Sequence, residues 1–251
     1  MAISVFIDGG AGTTGLEIAD RLAGRNEFSL IRLDDSRRKD PAARAEAANE
    51  ADFMILCLPD EGVKDAVAMV RNDRTRIIDA SSVHRTDPQF VYGFPELNAG
   101  QRKAISSANR VSNPGCYPTG FLVLIAPLVA AKLLPADWPY SVNAVSGYSG
   151  GGKGLIERFE AEGDIAYRGY GYTLSHKHLP EMQVHGGLTH APLFAPSVVN
   201  AFRGMVVEVP LPLAQMPGAA SPDVLRQFLA GHYEASPLIH AHMETAPDEI
   251  L

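Results

Sequence analysis

A short apolar run, Ala2–Ile7, leads directly into Gly10-Ala11-Gly12-Thr13-Thr14-Gly15, and a helical pattern carrying Leu16, Ile18, Ala19, Leu22 and Ala23 follows at once. No other feature restricts the fold as much as this G-x-G-x-x-G set between a strand and a helix. Its first glycine permits a tight turn, its second lets backbone approach a pyrophosphate, and its third lets the helix pack closely on the strand. An anion placed there rests on the free N–H groups and positive dipole end of the helix. An ordinary glycine-rich turn could carry the same spacing, so the residues that follow have to discriminate.

They favour the nucleotide reading. Phe28–Leu33, Asp52–Leu58 and Thr75–Asp79 are further strand candidates, separated by helical stretches at Ala42–Asn49 and Val63–Arg71. This alternation predicts βαβ units and an α/β fold with a Rossmann-like, doubly wound parallel sheet. After about Asn113 the pattern changes. An apolar helix candidate (Thr119–Leu134), a strand candidate (Tyr140–Ser146), an alternating strand (Gly204–Val209) and a helix capped by Ser221 (Ser221–Tyr233) predict an α+β domain around a mostly antiparallel sheet. The expected division is residues 1–113 for nucleotide binding and 114–251 for catalysis and substrate binding, its boundary set by the change of pattern because no linker separates the two.

Composition narrows the class. At 251 residues and 46% hydrophobic the chain can bury a substantial core. A formal net charge of −7 argues against general nucleic-acid binding and against adhesion to anionic lipid. Two cysteines, Cys57 and Cys116, cannot build a disulfide scaffold, which suits a reducing, cytoplasmic setting. No signal peptide is read at the N-terminus, and the longest apolar stretch, Phe121–Ala131, is shorter than the ~18 residues of a bilayer span. A soluble protein is expected.

The choice between NAD and NADP lies at the end of the second strand, where an acid would bind ribose hydroxyls and a base a 2′-phosphate. Asp34 and Asp35 precede Ser36, Arg37, Arg38 and Lys39, so the residues lean only slightly to NADP. The expected cofactor contacts are Gly10, Ala11, Gly12, Thr13, Thr14, Gly15, Ser36 and Arg37, with Pro59 and Ser81 at the ends of the third and fourth strands.

The cysteines differ in kind. Cys57 lies within an apolar strand, where a thiol acts as a small hydrophobe. Cys116, in Asn113-Pro114-Gly115-Cys116-Tyr117-Pro118-Thr119, enters an apolar helix; a helix N-terminus is expected to depress its pKa and make it a nucleophile. A base tuned near working pH would come from Ser175-His176-Lys177-His178-Leu179-Pro180-Glu181, with Glu181 available to orient an imidazole. His176, His178 and His185 could instead ligate a metal, but no supporting ligand motif accompanies them, and no metal is expected. His84, His190, His232, His240 and His242 read as surface or satisfied core residues.

Two segments suit an anionic substrate. Ser146-Gly147-Tyr148-Ser149-Gly150-Gly151-Gly152-Lys153 offers backbone N–H groups, hydroxyls and a lysine, and Arg85 follows the fourth strand at the edge where α/β sheets bind ligands. A nucleotide domain joined to a helix-capping cysteine and a distant histidine implies thiol-mediated acyl or aldehyde chemistry with hydride exchange, for which an acyl phosphate is a natural partner.

Gly9–Gly15, Cys57-Leu58-Pro59-Asp60, Asp79-Ala80-Ser81, Tyr92-Gly93-Phe94-Pro95-Glu96-Leu97, the Asn113–Thr119 segment, Val145–Lys153 and His176–Glu181, in this order, closely resemble the N-acetyl-gamma-glutamyl-phosphate reductases, in the shorter of their two types. The resemblance implies a fold related to glyceraldehyde-phosphate and aspartate-semialdehyde dehydrogenases. It further implies NADPH-dependent reduction of N-acetyl-glutamyl phosphate to the semialdehyde, with release of phosphate, in arginine biosynthesis. It places the nucleophile at Cys116, proton transfer at His178 with His176 close by, and their orientation at Glu181. It does not choose between the two histidines. Arg85, Asn113, Ser146, Gly147, Ser149 and Lys153 are expected near the substrate, and a dimer or tetramer is expected. Members of that family usually continue beyond the point corresponding to Pro247–Leu251 with a glycine-rich turn and a final helix, on which cofactor affinity and domain docking are expected to depend. The competing readings are an aspartate-semialdehyde dehydrogenase-like sibling, a nicotinamide-binding regulatory relic, and a cysteine hydrolase or acyltransferase without cofactor.

Overall fold

Residues 2–243 are described by a computed structural model; Pro247–Leu251 and the rest of the expected second domain's tail lie outside the described residues. The first half alternates as its pattern predicts: β1 (Ile3–Asp8), α1 (Thr13–Leu22), β2 (Phe28–Ile31), α2 (Pro41–Glu50), β3 (Phe53–Leu56), α3 (Asp60–Met69) and β4 (Arg76–Asp79). Local chemistry sets several boundaries. Asp40 caps α2 by accepting from the Ala42 N–H, and Pro41 occupies the first helical position, where a missing N–H is harmless. β5 (Val91–Tyr92), α4 (Gln101–Ser107) and β6 (Arg110–Ser112) were not legible, because strands this short show no period.

All six strands run parallel, in the order β2-β1-β3-β4-β6-β5. From β1 the chain moves outward to β2 and then returns to β3 on the other side of β1. The crevice outside the C-terminal ends of β1 and β3 is therefore the switch point where such sheets bind ligands.

α5 (Cys116–Ala130) starts one turn earlier than the apolar run suggested and stops sooner. Pro118 falls in its first turn, where proline is tolerated, and Lys132 ends the helix region in a left-handed conformation at φ 58°. Tyr117, Phe121, Leu122 and Ile125 bury the helix against the second sheet. That sheet follows: β7 (Ser141–Gly147), a 3-10 turn at Tyr148–Gly151, α6 (Lys153–Ala161), β8 (Tyr167–Gly169), α7 (Leu179–His185), β9 (Leu193–Val199), β10 (Met205–Glu208) and α8 (Pro222–Tyr233), the last capped by Ser221 as expected.

Its order is β10-β7-β9-β8. Two of the three pairings are antiparallel, while the central β7–β9 pairing is parallel and the longest. β9 escaped the sequence reading because Pro196 sits inside it, and proline demotes a strand assignment. Two apolar clusters form the core, one under each sheet.

Candidate active site

A cavity of about 820 Å³ opens at the β1/β3 switch point, floored by Gly9, Gly10, Ala11 and Gly12 and flanked by Leu58 and Pro59. The Gly12 N–H donates to the Gly9 carbonyl (3.0 Å). A Cβ on Gly15 would lie 2.6 Å from the Gly9 oxygen and 2.7 Å from the Gly10 Cα, so the third glycine is what lets α1 approach. The result is a cradle of bare backbone at a helix N-terminus, which fits the pyrophosphate of a dinucleotide.

Of the expected cofactor residues, Gly10, Ala11, Gly12 and Pro59 line the cavity; Thr13, Thr14 and Gly15, in the first turn of α1, do not. Ser36 and Arg37 do not line it. The Ser36 N–H and hydroxyl and the Arg37 N–H all donate to Asp34 Oδ1, at 2.9, 2.6 and 3.0 Å, and the Arg37 guanidinium pairs with Glu46 at 2.8 Å. The basic wall is built by Arg38 and Lys39, from the basic run that the sequence sets against Asp34 and Asp35, together with Arg32 and Arg44, which the sequence does not single out. Arg44 is held across from the glycines by Asp8 at 2.7 Å. Asp34 is consumed by its own turn, while Asp35, exposed and itself lining the cavity, pairs with Arg38 at 2.9 Å.

Ser81 is also displaced from its expected role. Its N–H and hydroxyl both donate to the buried Asp79 carboxylate at 2.8 Å, and His84 Nδ1 meets the same carboxylate at 2.7 Å while stacking on Phe90. His84 is thus a satisfied core residue that shapes the loop leading to Arg85.

Cys116 is the first residue of α5 and is exposed. His178 is the N-cap of α7 and is buried. The two helix starts meet around Gly115: a Cβ there would lie 2.5 Å from Glu181 Oε1, 2.7 Å from Arg85 Nη1 and 2.8 Å from His178 Nε2. A glycine before the cysteine is therefore obligatory. The His178 N–H donates to His176 Nδ1 at 3.2 Å, which makes His176 a neutral Nε2–H tautomer, and the two rings are 4.6 Å apart. His178 Nδ1 is buried without a partner. Burial, with the nearby His176, Arg85 and Lys177, pushes the His178 pKa down to about 3, so its ring is neutral at physiological pH.

The expected depressed thiol pKa is not what this cleft gives. Although the residue as a whole is exposed, protein atoms packed around the thiol desolvate it and raise the Cys116 pKa, and the Glu181 charge adds to that. The N–H groups of Tyr117 and Cys116 and the Arg85 charge oppose it without prevailing. The helix N-terminus stabilises the thiolate, but desolvation is the larger effect. The resting pair is a neutral thiol beside neutral imidazoles.

Two further expectations change. Glu181 does not bond an imidazole; its buried carboxylate accepts from Arg85 Nη1 (2.8 Å), the Tyr92 hydroxyl (2.9 Å) and the Gly115 N–H (3.0 Å). Arg85 is accordingly no open anion clamp, since it also donates to the carbonyls of Asn113 (3.0 Å) and Ala80 (3.3 Å). Asn113 is exposed, its Nδ2 on the Pro114 carbonyl. Ser146 accepts from the Tyr117 hydroxyl at 2.6 Å, which ties the glycine-rich loop to the cysteine's helix. Gly147 packs against Ala201 and Arg203 too tightly for a Cβ, and the Ser149 N–H donates to the Phe202 carbonyl. Lys153 is drawn into an exposed pair with Glu157 instead. His185 stacks on Tyr92 at 3.7 Å and meets the Arg85 carbonyl at 2.6 Å. Tyr92, Tyr117 and Tyr170 were not singled out from the sequence; a lone tyrosine carries no spacing signal. Among the described residues no group of three or more His, Cys, Asp or Glu side chains is placed to hold a metal ion, and no helix is long and apolar enough to cross a membrane.

Comparison with known proteins supplies the rest. The semialdehyde dehydrogenase NAD binding domain matches residues 4–108 and the semialdehyde dehydrogenase dimerisation domain matches residues 116–249. An N-acetyl-gamma-glutamyl-phosphate reductase of Burkholderia ambifaria is 50% identical over 91% of this chain and 74% of its own. An N-acetyl-gamma-glutamyl-phosphate reductase 2 of Pseudomonas putida is 48% identical over 97% of this chain and 77% of its own. In fold, the chain is similar to a probable aspartate-semialdehyde dehydrogenase of Pseudomonas aeruginosa (TM-score 0.62, 15% identity, covering 94% of this chain and 80% of the other). It is also similar to the aspartate-semialdehyde dehydrogenase of Candida albicans solved with NADP (TM-score 0.60, 16% identity, covering 92% and 76%).

Proposed function

Because the chain belongs to the semialdehyde dehydrogenases, and within them to the N-acetyl-gamma-glutamyl-phosphate reductases, we propose that it reduces N-acetyl-gamma-glutamyl phosphate to N-acetyl-glutamate semialdehyde through a thioester on Cys116. It is an NADP-dependent oxidoreductase of arginine biosynthesis. The observation that carries the site assignment is the meeting of His178 Nε2 with Gly115, one residue before the sulfur at the start of α5.

The cleft of Gly9–Gly12 and Pro59, with the Arg38 and Lys39 wall, would hold the cofactor, which supplies a hydride when bound. Cys116 Sγ attacks the acyl carbon of the substrate. As the S–C bond forms, the thiol proton passes to the neutral His178, and the C–O bond to phosphate breaks. The N–H groups of Cys116 and Tyr117 at the head of α5 steady the sulfur's negative charge. Once the thioester carbon is reduced, the C–S bond breaks, the aldehyde leaves, and the thiolate recovers its proton from His178. A buried imidazole is a poor resting cation, so it returns that proton readily. Glu181 and Arg85 hold the backbone in front of the sulfur and stay out of the proton path.

Residues 1–113 and 114–251 are proposed as the nucleotide and catalytic domains. The exposed Val145, Leu193, Met205 and Val206 on the second sheet's strands suit a homo-oligomer interface, and a cytoplasmic location is proposed with it. The deciding experiment is NADPH oxidation with N-acetyl-gamma-glutamyl phosphate against aspartyl phosphate. Turnover of the acetylated substrate is expected. Preference for aspartyl phosphate would make the chain an aspartate-semialdehyde dehydrogenase-like enzyme, and NADPH binding without turnover of either would make it a regulatory relic.

A further inference from the structure

His185 stands in the sequence beside His176 and His178 as a possible ligand, yet in the fold it is engaged with other partners and takes no part in the chemistry described above. It ends α7, four positions after Glu181, so the two side chains leave the same face of that helix one turn apart. Both reach the same residue of the nucleotide half. Glu181 Oε1 takes the Arg85 guanidinium at 2.8 Å, and His185 Nε2 meets the Arg85 backbone carbonyl at 2.6 Å. A carbonyl can only accept, so the proton is on Nε2 and the imidazole donates. The ring also stacks on Tyr92 with centroids 3.7 Å apart, and the Tyr92 hydroxyl donates to Glu181 Oε2.

Arg85 needs such a hold on its main chain. It lies in turns between β4 and β5, with no helix or strand ladder to fix it. From its own half of the molecule it is steadied through His84, which is tied to Asp79; from the other half its carbonyl is held by His185. Where that backbone sits decides what the guanidinium can do. Nε donates to the Asn113 carbonyl at 3.0 Å, and Nη1 donates to the carboxylate that fixes the Gly115 amide at 3.0 Å. Both bonds end on the segment that delivers Cys116, so a shift of the Arg85 main chain reaches the sulfur by two routes. We propose that His185 is a positioning residue for the reaction: by donating to the Arg85 carbonyl it sets the two halves of the chain in register, so that the Asn113–Gly115 segment presents Cys116 beside His178. This rests on the function proposed above and adds to it a residue that acts through Arg85 and not on the reacting atoms.

The test pairs turnover with hydrogen exchange. His185→Phe keeps a ring on Tyr92 and removes the donor, whereas His185→Gln keeps an N–H near the position of Nε2 and removes the ring. With N-acetyl-gamma-glutamyl phosphate, His185→Phe is expected to lower kcat about 10- to 100-fold, with the KM for the acyl phosphate and the Kd for NADPH held within about twofold. His185→Gln is expected to keep kcat within about threefold of the wild type. In the free protein, exchange of the Gly115 amide, measured against the amides of β3, should be about tenfold faster in His185→Phe and unchanged in His185→Gln. Should His185→Phe fail to fold, His185→Asn takes its place, being polar like the Gln variant but one carbon too short to reach the carbonyl. A histidine that only stabilised the fold would lower the unfolding midpoint and leave kcat and the relative exchange of Gly115 alone. That result, an equal loss of kcat in the Phe and Gln variants, or a loss carried by KM alone would each overturn the inference. A wild type that turns over no acetylated acyl phosphate would overturn the proposed function by itself, and the exchange comparison, which needs no substrate, would still decide for or against His185.

Discussion

Glu181 Oε2 accepts a hydrogen bond from the Gly115 amide at 3.0 Å, so an acid on α7 fixes the backbone one residue ahead of the nucleophile. The same carboxylate takes Arg85 and Tyr92, which come from the nucleotide half of the chain, while Gly115 opens the helix of the other half. Glu181 is only 1% exposed, so this is a charge held in place by partners that cannot be replaced by water.

Removing one partner of such a group leaves the other uncompensated. Glu181→Ala is expected to cost about 3–5 kcal/mol of stability, because Arg85 is stranded in a buried site. Glu181→Gln keeps an accepting oxygen and should cost less, while lowering kcat through a loosened Gly115. Urea unfolding of both variants beside their kcat values checks this; two variants as stable as the wild type would show that the clamp carries no load.

Gly115→Ala tests the same junction from the other side. The added methyl would fall 2.5–2.8 Å from Glu181, Arg85 and His178, and none of the three can retreat without breaking a buried contact. Displacing His178 by about 1 Å to make room should reduce kcat about 10²-fold, with NADPH affinity unchanged. Equilibrium cofactor titration alongside turnover separates the two effects.

How far the chain could be read in advance depended on the range of the interaction involved. The glycine cradle, the parallel sheet and the position of Cys116 at a helix start were legible because each is set by neighbours within a few residues. β9 was hidden by Pro196, and its parallel pairing with β7 depends on a partner about fifty positions away. The roles of Glu181 and Arg85 could not be read for the same reason: the two lie 96 positions apart and find each other only in the fold. Within the Ser36–Lys39 run, which side chains face the cavity could not be read, since Asp34 turns the chain and presents Arg38 and Lys39 there while Ser36 and Arg37 are drawn into the turn. The thiol's pKa was misjudged because a helix end is visible in sequence and desolvation is not.

That cavity wall gives a prediction about cofactor choice. Arg38→Gln combined with Lys39→Gln removes two cations near the end of β2, where the adenosine ribose of a dinucleotide lies. The Kd for NADPH is expected to rise about 10- to 100-fold while that for NADH moves little, because only the former carries the additional phosphate. Parallel fluorescence titrations with the two cofactors decide it, and equal weakening of both would move the discriminating contact to Arg32 or Arg44.

The last prediction concerns pH. With its pKa raised by desolvation, the free enzyme's Cys116 should react with iodoacetamide more slowly at pH 7 than an ordinary cysteine, with a rate still climbing through pH 9. His178, at about 3, contributes no ionisation to that profile between pH 5 and 9. It does contribute to stability, and the sign follows from which state binds the proton first. In the unfolded chain the ring protonates near 6.5, in the folded protein only near 3, so between these values the unfolded state holds more protons. Stability attributable to His178 is therefore complete above pH 6.5 and is lost as pH falls towards 3. His178→Gln should flatten that part of the stability curve in denaturant titrations taken from pH 7 to 4, and should lower turnover by at least ~10²-fold. An alkylation rate that reaches its plateau below pH 7 would mean that the helix terminus outweighs burial at this sulfur after all, and that the enzyme rests with its thiolate already formed.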